Sequence, residues 1–202
     1  MKINETGRSM IEMLGVLAIV GVLSVGGLAG YSKMMSQYKI NASLEQMGAI
    51  ASKISAYGAG KDSYTGLSNV SAKKLGAPIT DTNPYDGGIT IKPSPIESKN
   101  SNDTQAYVIE FNGLTEDACV TLGSSAWGNV RNSSFIGLGV GSESKASSIE
   151  KALYLGCPGE SKTDYAAACS GGSTVDLPMD PGIASVACNC PSSNCVFMMK
   201  FF

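Results

Sequence analysis

Length, composition and charge set the first limits on this chain. Its 202 residues suffice for one domain of ordinary size with a self-sustaining core, and a hydrophobic content of 43% excludes a disordered chain. A formal net charge of −2, without any run of Lys or Arg, argues against a nucleic-acid binder. The absence of histidine removes the Ser-His-Asp and Cys-His arrangements and the commonest metal ligand. We therefore expect no catalytic residue, no cofactor and no metal site.

The N-terminal segment predicts a membrane span. Residues 1–7 form a short polar leader, and from Met10 to Tyr31 the only charged residue is Glu12. At about 1.5 Å per residue this stretch spans roughly 33 Å, enough to cross a hydrocarbon core of about 30 Å. Lys2 and Arg8 on its N-terminal side place that end in the cytoplasm, so everything after Tyr31 is expected to be exported.

The apolar run continues into an amphipathic segment. A secretory signal peptide would be shorter and would end at a small-residue cleavage site. Here the apolar residues after residue 31 recur at spacings of about three and four, which is typical of a helix with one buried face. These residues are Ile40, Leu44, Met47, Ile50, Ile54 and Tyr57. We predict one continuous helix from about Ser9 to Tyr57. Residues 8–31 contain its membrane-spanning and filament-core half, and residues 32–57 form its amphipathic half.

Glu12 is the informative residue of the span. A carboxylate at the centre of a membrane helix costs about 2.5–3.5 kcal/mol, and less near the interface. An interfacial Glu that reaches the headgroups is one interpretation. The other needs a cationic partner, which cleavage after Gly7 would create as a new α-amino group on Arg8. In a staggered bundle, that amine could reach Glu12 of a neighbouring copy and set the axial register.

The stretch Gly7-Arg8-Ser9-Met10-Ile11-Glu12, followed by an apolar run, resembles the class III signal of type IV prepilins. Arg8 departs from the family pattern, which usually has an apolar residue there. The resemblance implies cleavage after Gly7 and N-methylation of Arg8 by a prepilin peptidase. It also implies a precursor in the bacterial inner membrane, which the pilus assembly machinery polymerises through its N-terminal helices into an extracellular filament. Glu12 is then the assembly residue.

Residues 58–202 are expected to form the globular head. The predicted strands are Ile89–Ile91, Gln105–Asn112, Phe135–Val140 and Val196–Phe202. A short helix is expected to begin near Thr115, with Cys119, Leu122 and Ala126 on its buried face, and a second to run from about Ser144 to Leu155. Since an amphipathic helix needs a surface on which to bury its stripe, the expected fold class is α+β. The long helix would pack on an antiparallel sheet, as the resemblance to pilins also implies.

The cysteines predict disulfides in the exported part. Their number is even and all lie in the C-terminal half, downstream of the export signal. Six cysteines allow 15 pairings, among which the sequence does not choose. Cys157 and Cys169 could pair locally. The cluster of Cys188, Cys190 and Cys195 could instead hold zinc, but its spacing is unlike C-x₂-C pairs and histidine is absent.

The segment GLTEDACVTLGSSAW and the mature length of 195 residues (202 minus 7) resemble the larger type IVb pilins. That resemblance implies that Cys119 joins one of the C-terminal cysteines and ties a helix to the last strand. Asp81, Asn83 and Asp86 could suggest calcium, although they lack the EF-hand layout, and a solvated turn is the better interpretation.

Four functions compete at this point. A major structural pilin, which polymerises through its N-terminal helix, fits the short leader, Gly7 and Glu12. A minor pilin or tip adhesin is the first alternative, although minor subunits often lack this glutamate. A type II secretion pseudopilin is the second, but pseudopilins are usually smaller and poor in cysteine. A membrane-anchored enzyme is remote, because no nucleophile context or cofactor loop is visible.

Overall fold

The computed structural model describes residues 10–58, 60–95, 104–125, 135–147, 149, 178–190 and 194–202. Four α-helices and four β-strands have their bounds within these residues. They follow one another as α1 (Met10–Gly58), α2 (Asn69–Lys74), β1 (Ile89–Ser94), β2 (Ala106–Leu114), α3 (Glu116–Ser124), β3 (Phe135–Ser142), α4 (Pro181–Ala187) and β4 (Cys195–Phe201).

The predicted elements agree with this order. The long helix and all four predicted strands are present, and their bounds differ from the prediction by at most three residues. The chain divides into two compact units, Met1–Tyr38 and Lys39–Phe202. The boundaries predicted at 31/32 and 57/58 stay predictions. The fold class is α+β, as the sequence predicts.

The head contains one four-stranded antiparallel sheet. Its strand order is β1-β2-β4-β3, so the C-terminal strand lies in the middle of the sheet. Every residue of β4 is buried. This explains why its sequence, CVFMMKF, lacks the apolar-polar alternation of a half-exposed strand, since a strand covered on both faces can be apolar throughout.

One face of the sheet and the second half of α1 form the main core. Cross-strand neighbours such as Ile109 and Met199, or Phe111 and Phe197, present their side chains on this face. The helix contributes a stripe in which every member is almost completely buried. Its members are Ile40, Met47, Ile50, Ala51 and Ile54. At about 25 cal/mol per Å² of apolar surface, this burial is the dominant stabilising term of the head.

The other face of the sheet carries a smaller apolar cluster and buried charges. Val108, Val196 and Met198 pack there with Ile149. Beside them, Glu110 is 8% exposed and Lys200 only 1%. The carboxylate of Glu110 lies 3.6 Å from Nζ of Lys92, and this ion pair offsets part of the cost of burying the charge.

Two short helices were not predicted from the sequence. α2 begins with a capping box, in which Ser68 and Ser71 each accept the other's backbone N–H. The side chain of Asn69 then bonds the backbone of β1 twice, to the carbonyl of Ile89 at 2.6 Å and to the N–H of Ile91 at 2.8 Å. These bonds occupy backbone groups of an edge strand that would otherwise be open to pairing.

α4 begins at Pro181, with Asp180 as its N-cap. The predicted helix α3 is present and is capped by Thr115, whose hydroxyl accepts the N–H of Ala118. Cys119 and Leu122 are completely buried on it, as predicted, whereas Ala126 lies outside the described residues. Of the helix predicted over 144–155, residues 146, 147 and 149 are described and helical, after a 3₁₀ turn at Glu143–Lys145, and the rest lies outside the described residues.

Candidate functional site: an apolar half-helix and a disulfide-bonded head

The first half of α1 is apolar and exposed on every side. Its large apolar residues all have more than half of their surface exposed. They are Met10, Ile11, Met13, Leu14, Val16, Leu17, Ile19, Val20, Val22, Leu23, Val25 and Leu28. Among the described residues, α1 is the one helix long and apolar enough to cross a membrane. An apolar surface of this size is unfavourable in water, so lipid or other apolar helices are expected to cover it.

Glu12 lies in the first turn of α1 and its side chain is exposed. A carboxylate at this position interacts favourably with the positive end of the helix dipole. Gly7 and Arg8, the predicted processing residues, lie outside the described residues. The role of Glu12 as a partner for a new amino group stays a prediction.

The glycines of the half-helix have no close neighbours. A Cβ atom added at Gly15, Gly21, Gly26, Gly27 or Gly30 would meet nothing within 4 Å. The helix continues through all five, and Ser24 bonds back to the carbonyl of Val20 at 2.7 Å. No neighbouring group among the described residues therefore accounts for these glycines.

The second half of α1 is fixed to the head by packing and by hydrogen bonds. The hydroxyl of Tyr107, on β2, lies 2.9 Å from Oγ of Ser55 and donates to the carbonyl of Ala51 at 3.2 Å. Burial raises the pKa of the Tyr107 phenol far above its usual value, and the hydrogen bond from Ser55 opposes this only in part. The rings of Tyr64 and Phe201 lie 4.8 Å and 5.3 Å from that of Tyr107.

Tyr57 lies at the edge of the predicted apolar stripe and is 44% exposed. Nζ of Lys61 lies 3.3 Å from the centre of its ring, which is a cation–π contact. The next buried position of the helix is Gly58, where the ring of Tyr64 packs so closely that a Cβ atom would overlap it. Sequence periodicity could not predict that Gly58 is buried and Tyr57 partly exposed, because the burial of Gly58 depends on the ring of Tyr64, which packs on it.

Two disulfides join the elements at the C-terminal end of the head. Cys119 of α3 bonds Cys188 at the end of α4, and Cys190 bonds Cys195, the first residue of β4. Cys119 thus joins a C-terminal cysteine, but the bridge ties α3 to α4 and not to the last strand. Both sulfurs of each pair are in a covalent bond, so none of these four cysteines offers the thiolate that zinc requires.

Cys157 and Cys169 lie outside the described residues, and a bridge between them stays a prediction.

The turn that contains Asp81, Asn83 and Asp86 is held by the amide of Asn83. This side chain is 3% exposed, accepts from the N–H groups of Tyr85 and Gly87, and donates to the carbonyls of Gly88 and Asn112. Asp81 pairs instead with Lys73, at 3.1 Å. Asp86 lies 4.0 Å from Nζ of Lys39. The geometry is that of a turn anchored on β2, and the three side chains do not converge on one point.

A comparison with solved structures finds a similar architecture. The chain superposes on the crystal structure of TcpA, a type IV pilin from Vibrio cholerae El Tor biotype, with a TM-score of 0.50 and 18% sequence identity. The superposition covers 81% of this chain and 98% of TcpA.

The fold is that of a type IV pilin. The long N-terminal helix, the antiparallel sheet on which its second half packs and the disulfide-bonded C-terminal region together make up this pilin fold. No protein-family model matches the sequence, and a search of curated proteins finds no match.

Proposed function

We propose that this chain is the structural subunit of a type IV pilus-like filament that polymerises through its N-terminal helix. One observation carries the proposal: the first half of α1 is exposed and apolar on all sides, while the second half of the same helix is buried in a head with the pilin fold. Lipid would cover the first half before assembly, and the helices of other copies would cover it in the filament. The proposal assigns no catalysis to the chain.

Processing follows from the same interpretation. A prepilin peptidase would cut after Gly7 in the inner membrane and methylate the amine of Arg8. The mature chain of 195 residues (202 minus 7) would then carry a positive charge one helical turn before Glu12. In the filament, this amine would pair with Glu12 of the adjacent copy, and the extracellular filament would retain the head on its outside.

Glu12→Ala tests the assembly step. Removing one partner of a charge pair enclosed by apolar helices costs about 3–5 kcal/mol, so filament yield should fall to less than about a tenth. The variant is expressed in a host with a complete pilus assembly system, and sheared filaments are quantified by immunoblot and electron microscopy. Glu45→Ala is the matched control, because Glu45 is also an exposed glutamate of α1 but lies beyond the span.

Membrane fractionation of both variants checks that insertion is intact. Normal piliation by Glu12→Ala would remove the proposed register contact.

Intact-mass analysis of the same filaments tests processing. A mature chain that begins at Arg8 and carries one methyl group is the expected species. An uncut chain that begins at Met1 would favour a simple membrane anchor and would contradict polymerisation by this route.

Composition of the sheared filaments separates a major subunit from the alternatives. A major pilin should be the dominant protein of the filament. A trace amount in filaments built from another subunit would indicate a minor pilin or tip adhesin. Recovery only as short periplasmic assemblies would indicate a pseudopilin.

A further inference from the structure

Three cysteine sulfurs from the two bridges of the head lie close together. The Sγ atoms of Cys119, Cys190 and Cys195 are all within 4.8 Å of one another. Cys119 belongs to the first bridge, with Cys188, and the other two form the second bridge. The sulfur of Cys119 therefore lies beside a disulfide that is not its own. Cys188 is not among the three sulfurs that lie mutually close.

The two bridges differ in accessibility and in how easily they close. Cys190 is 9% exposed, whereas Cys119, Cys188 and Cys195 have no exposed surface. The Cys190–Cys195 bridge spans 5 residues and the Cys119–Cys188 bridge spans 69. Since the entropic cost of closing a flexible loop rises with its length, the short bridge is the easier one to form. It also contains Cys190, which has the only exposed surface among these four cysteines.

We infer that the Cys190–Cys195 pair is a thiol–disulfide relay, through which the buried Cys119–Cys188 bridge is formed. An external disulfide first oxidises Cys190 and Cys195 and leaves as two thiols. The thiolate of Cys119 then attacks Sγ of Cys190. This step forms a Cys119–Cys190 bond, breaks the Cys190–Cys195 bond and releases Cys195 as a thiolate.

The thiolate of Cys188 completes the transfer by attacking Sγ of Cys119. The Cys119–Cys188 bond forms, the Cys119–Cys190 bond breaks, and Cys190 leaves as a thiolate. The two exchange steps consume no oxidant, because each breaks one disulfide and forms another. A second external disulfide then oxidises Cys190 and Cys195 again, which gives the observed pair of bridges.

The first test removes the acceptor. In the Cys188→Ser variant of the full chain, purified in detergent, Cys119 has no partner of its own but still faces the second bridge. Equilibration with a glutathione redox buffer should give a population with Cys119 bonded to Cys190 or Cys195. Cys119→Ser is the matched control, in which Cys188, whose sulfur is not one of the three close sulfurs, should form fewer bonds with the second bridge than Cys119 does. Tandem mass spectrometry after alkylation assigns the linked residues.

If Cys119 of the Cys188→Ser variant is recovered entirely as an alkylated thiol, or bonded elsewhere, the relay is refuted.

The second test follows the unaltered chain and does not depend on a variant that folds. The reduced protein in detergent is reoxidised with glutathione disulfide, and samples are alkylated at intervals. The Cys190–Cys195 bond should appear first, a Cys119–Cys190 bond should rise and decay, and the Cys119–Cys188 bond should accumulate last. Appearance of the Cys119–Cys188 bond before the other two would overturn the inference.

The Cys190→Ser/Cys195→Ser double variant allows the rate at which the Cys119–Cys188 bond forms to be measured without the relay. Without the relay, oxidation of Cys119 and Cys188 needs a bimolecular encounter with glutathione at a buried position, so it should be slower by about tenfold or more. An unchanged rate would count against the relay. Cys157 and Cys169 are retained throughout, because the linked peptides identify each bond individually.

Discussion

Tyr107→Phe is the sharpest test of how α1 is held on the head. The ring of Tyr107 is completely buried, and its hydroxyl bonds Ser55 and the carbonyl of Ala51, both on the second half of α1. Phenylalanine preserves the ring and its packing and removes only the hydroxyl. A hydrogen bond of this kind contributes about 0.5–1.5 kcal/mol, so we expect the free energy of unfolding to fall by about 1 kcal/mol at neutral pH.

The same substitution should change the response to alkaline pH. Burial raises the pKa of Tyr107 in the folded state, while in the unfolded chain the phenol ionises near its usual pKa of about 10. Below about pH 10 the phenol stays protonated in both states, and the contribution of Tyr107 to the free energy of unfolding is fully present. Above it the unfolded state gains by ionising and the native state does not, so the wild-type free energy of unfolding falls by up to about 1.4 kcal/mol per pH unit.

The phenylalanine variant lacks this loss at position 107. If the hydroxyl contributes about 1 kcal/mol, wild type and variant should become equally stable at about pH 10.6, and the variant should be the more stable one above that. The pKa of Tyr64 is also raised by burial. Tyr64 is present in both proteins, and its charge acts on Tyr107 in the same direction as burial, by raising the pKa of Tyr107.

The assay is urea unfolding in a non-ionic detergent, followed by near-ultraviolet circular dichroism from pH 7 to 11. Tyr57→Phe is the matched control, because Tyr57 is a partly exposed tyrosine on the same helix and its contact with Lys61 involves only the ring. It should follow the wild-type curve. Equal stability of wild type and Tyr107→Phe at neutral pH, with parallel curves up to pH 11, would refute the assigned roles of burial and hydrogen bonding.

Two further substitutions test the head. Gly58→Ala should lower the free energy of unfolding by about 1–3 kcal/mol, because the new methyl group would overlap a tyrosine ring. Gly48 lies on the same helix and has nothing within 4 Å, so Gly48→Ala should raise the free energy of unfolding by up to about 0.8–1.0 kcal/mol. Thermal unfolding of the two variants checks that their effects have opposite signs. Asn83→Ala should cost about 2–3 kcal/mol, since it leaves buried backbone groups without partners, whereas Asp81→Ala should cost less than about 1 kcal/mol. Equal effects at the last two positions would contradict the anchoring role of Asn83.

Periodicity and strand composition were enough to predict the main elements. The long helix could be predicted because its two halves carry two different patterns, one apolar throughout and one with a buried stripe. The strands could be predicted because each carries several β-branched, aromatic or other apolar residues and lies next to turn residues. For example, Ile89–Ser94 follows the Asp86-Gly87-Gly88 turn. These signals are local, and each is carried by several residues.

The missed features depend on contacts between distant residues. α2 has only six residues and is held by Asn69 against β1, so no apolar period marks it. Cys119 pairs with Cys188 because α3 and α4 meet, and this meeting is a property of the tertiary fold. The buried position of Lys200 likewise follows from its strand being the central one of the sheet.

The glycines of α1 link the structure of the subunit to its proposed assembly. Five of them lie between Gly15 and Gly30, and at about 0.8–1.0 kcal/mol each they cost the helix about 4–5 kcal/mol relative to alanine. Gly58 offsets its cost inside the head, where the ring of Tyr64 packs on it. The five have no such contact. Gly48 also has no close neighbour, so a single glycine without a contact is not informative, but five of them within two-thirds of the span form a systematic feature. Small residues allow helices to approach closely in apolar surroundings, so the stabilisation that offsets their cost is expected where the half-helix meets other helices.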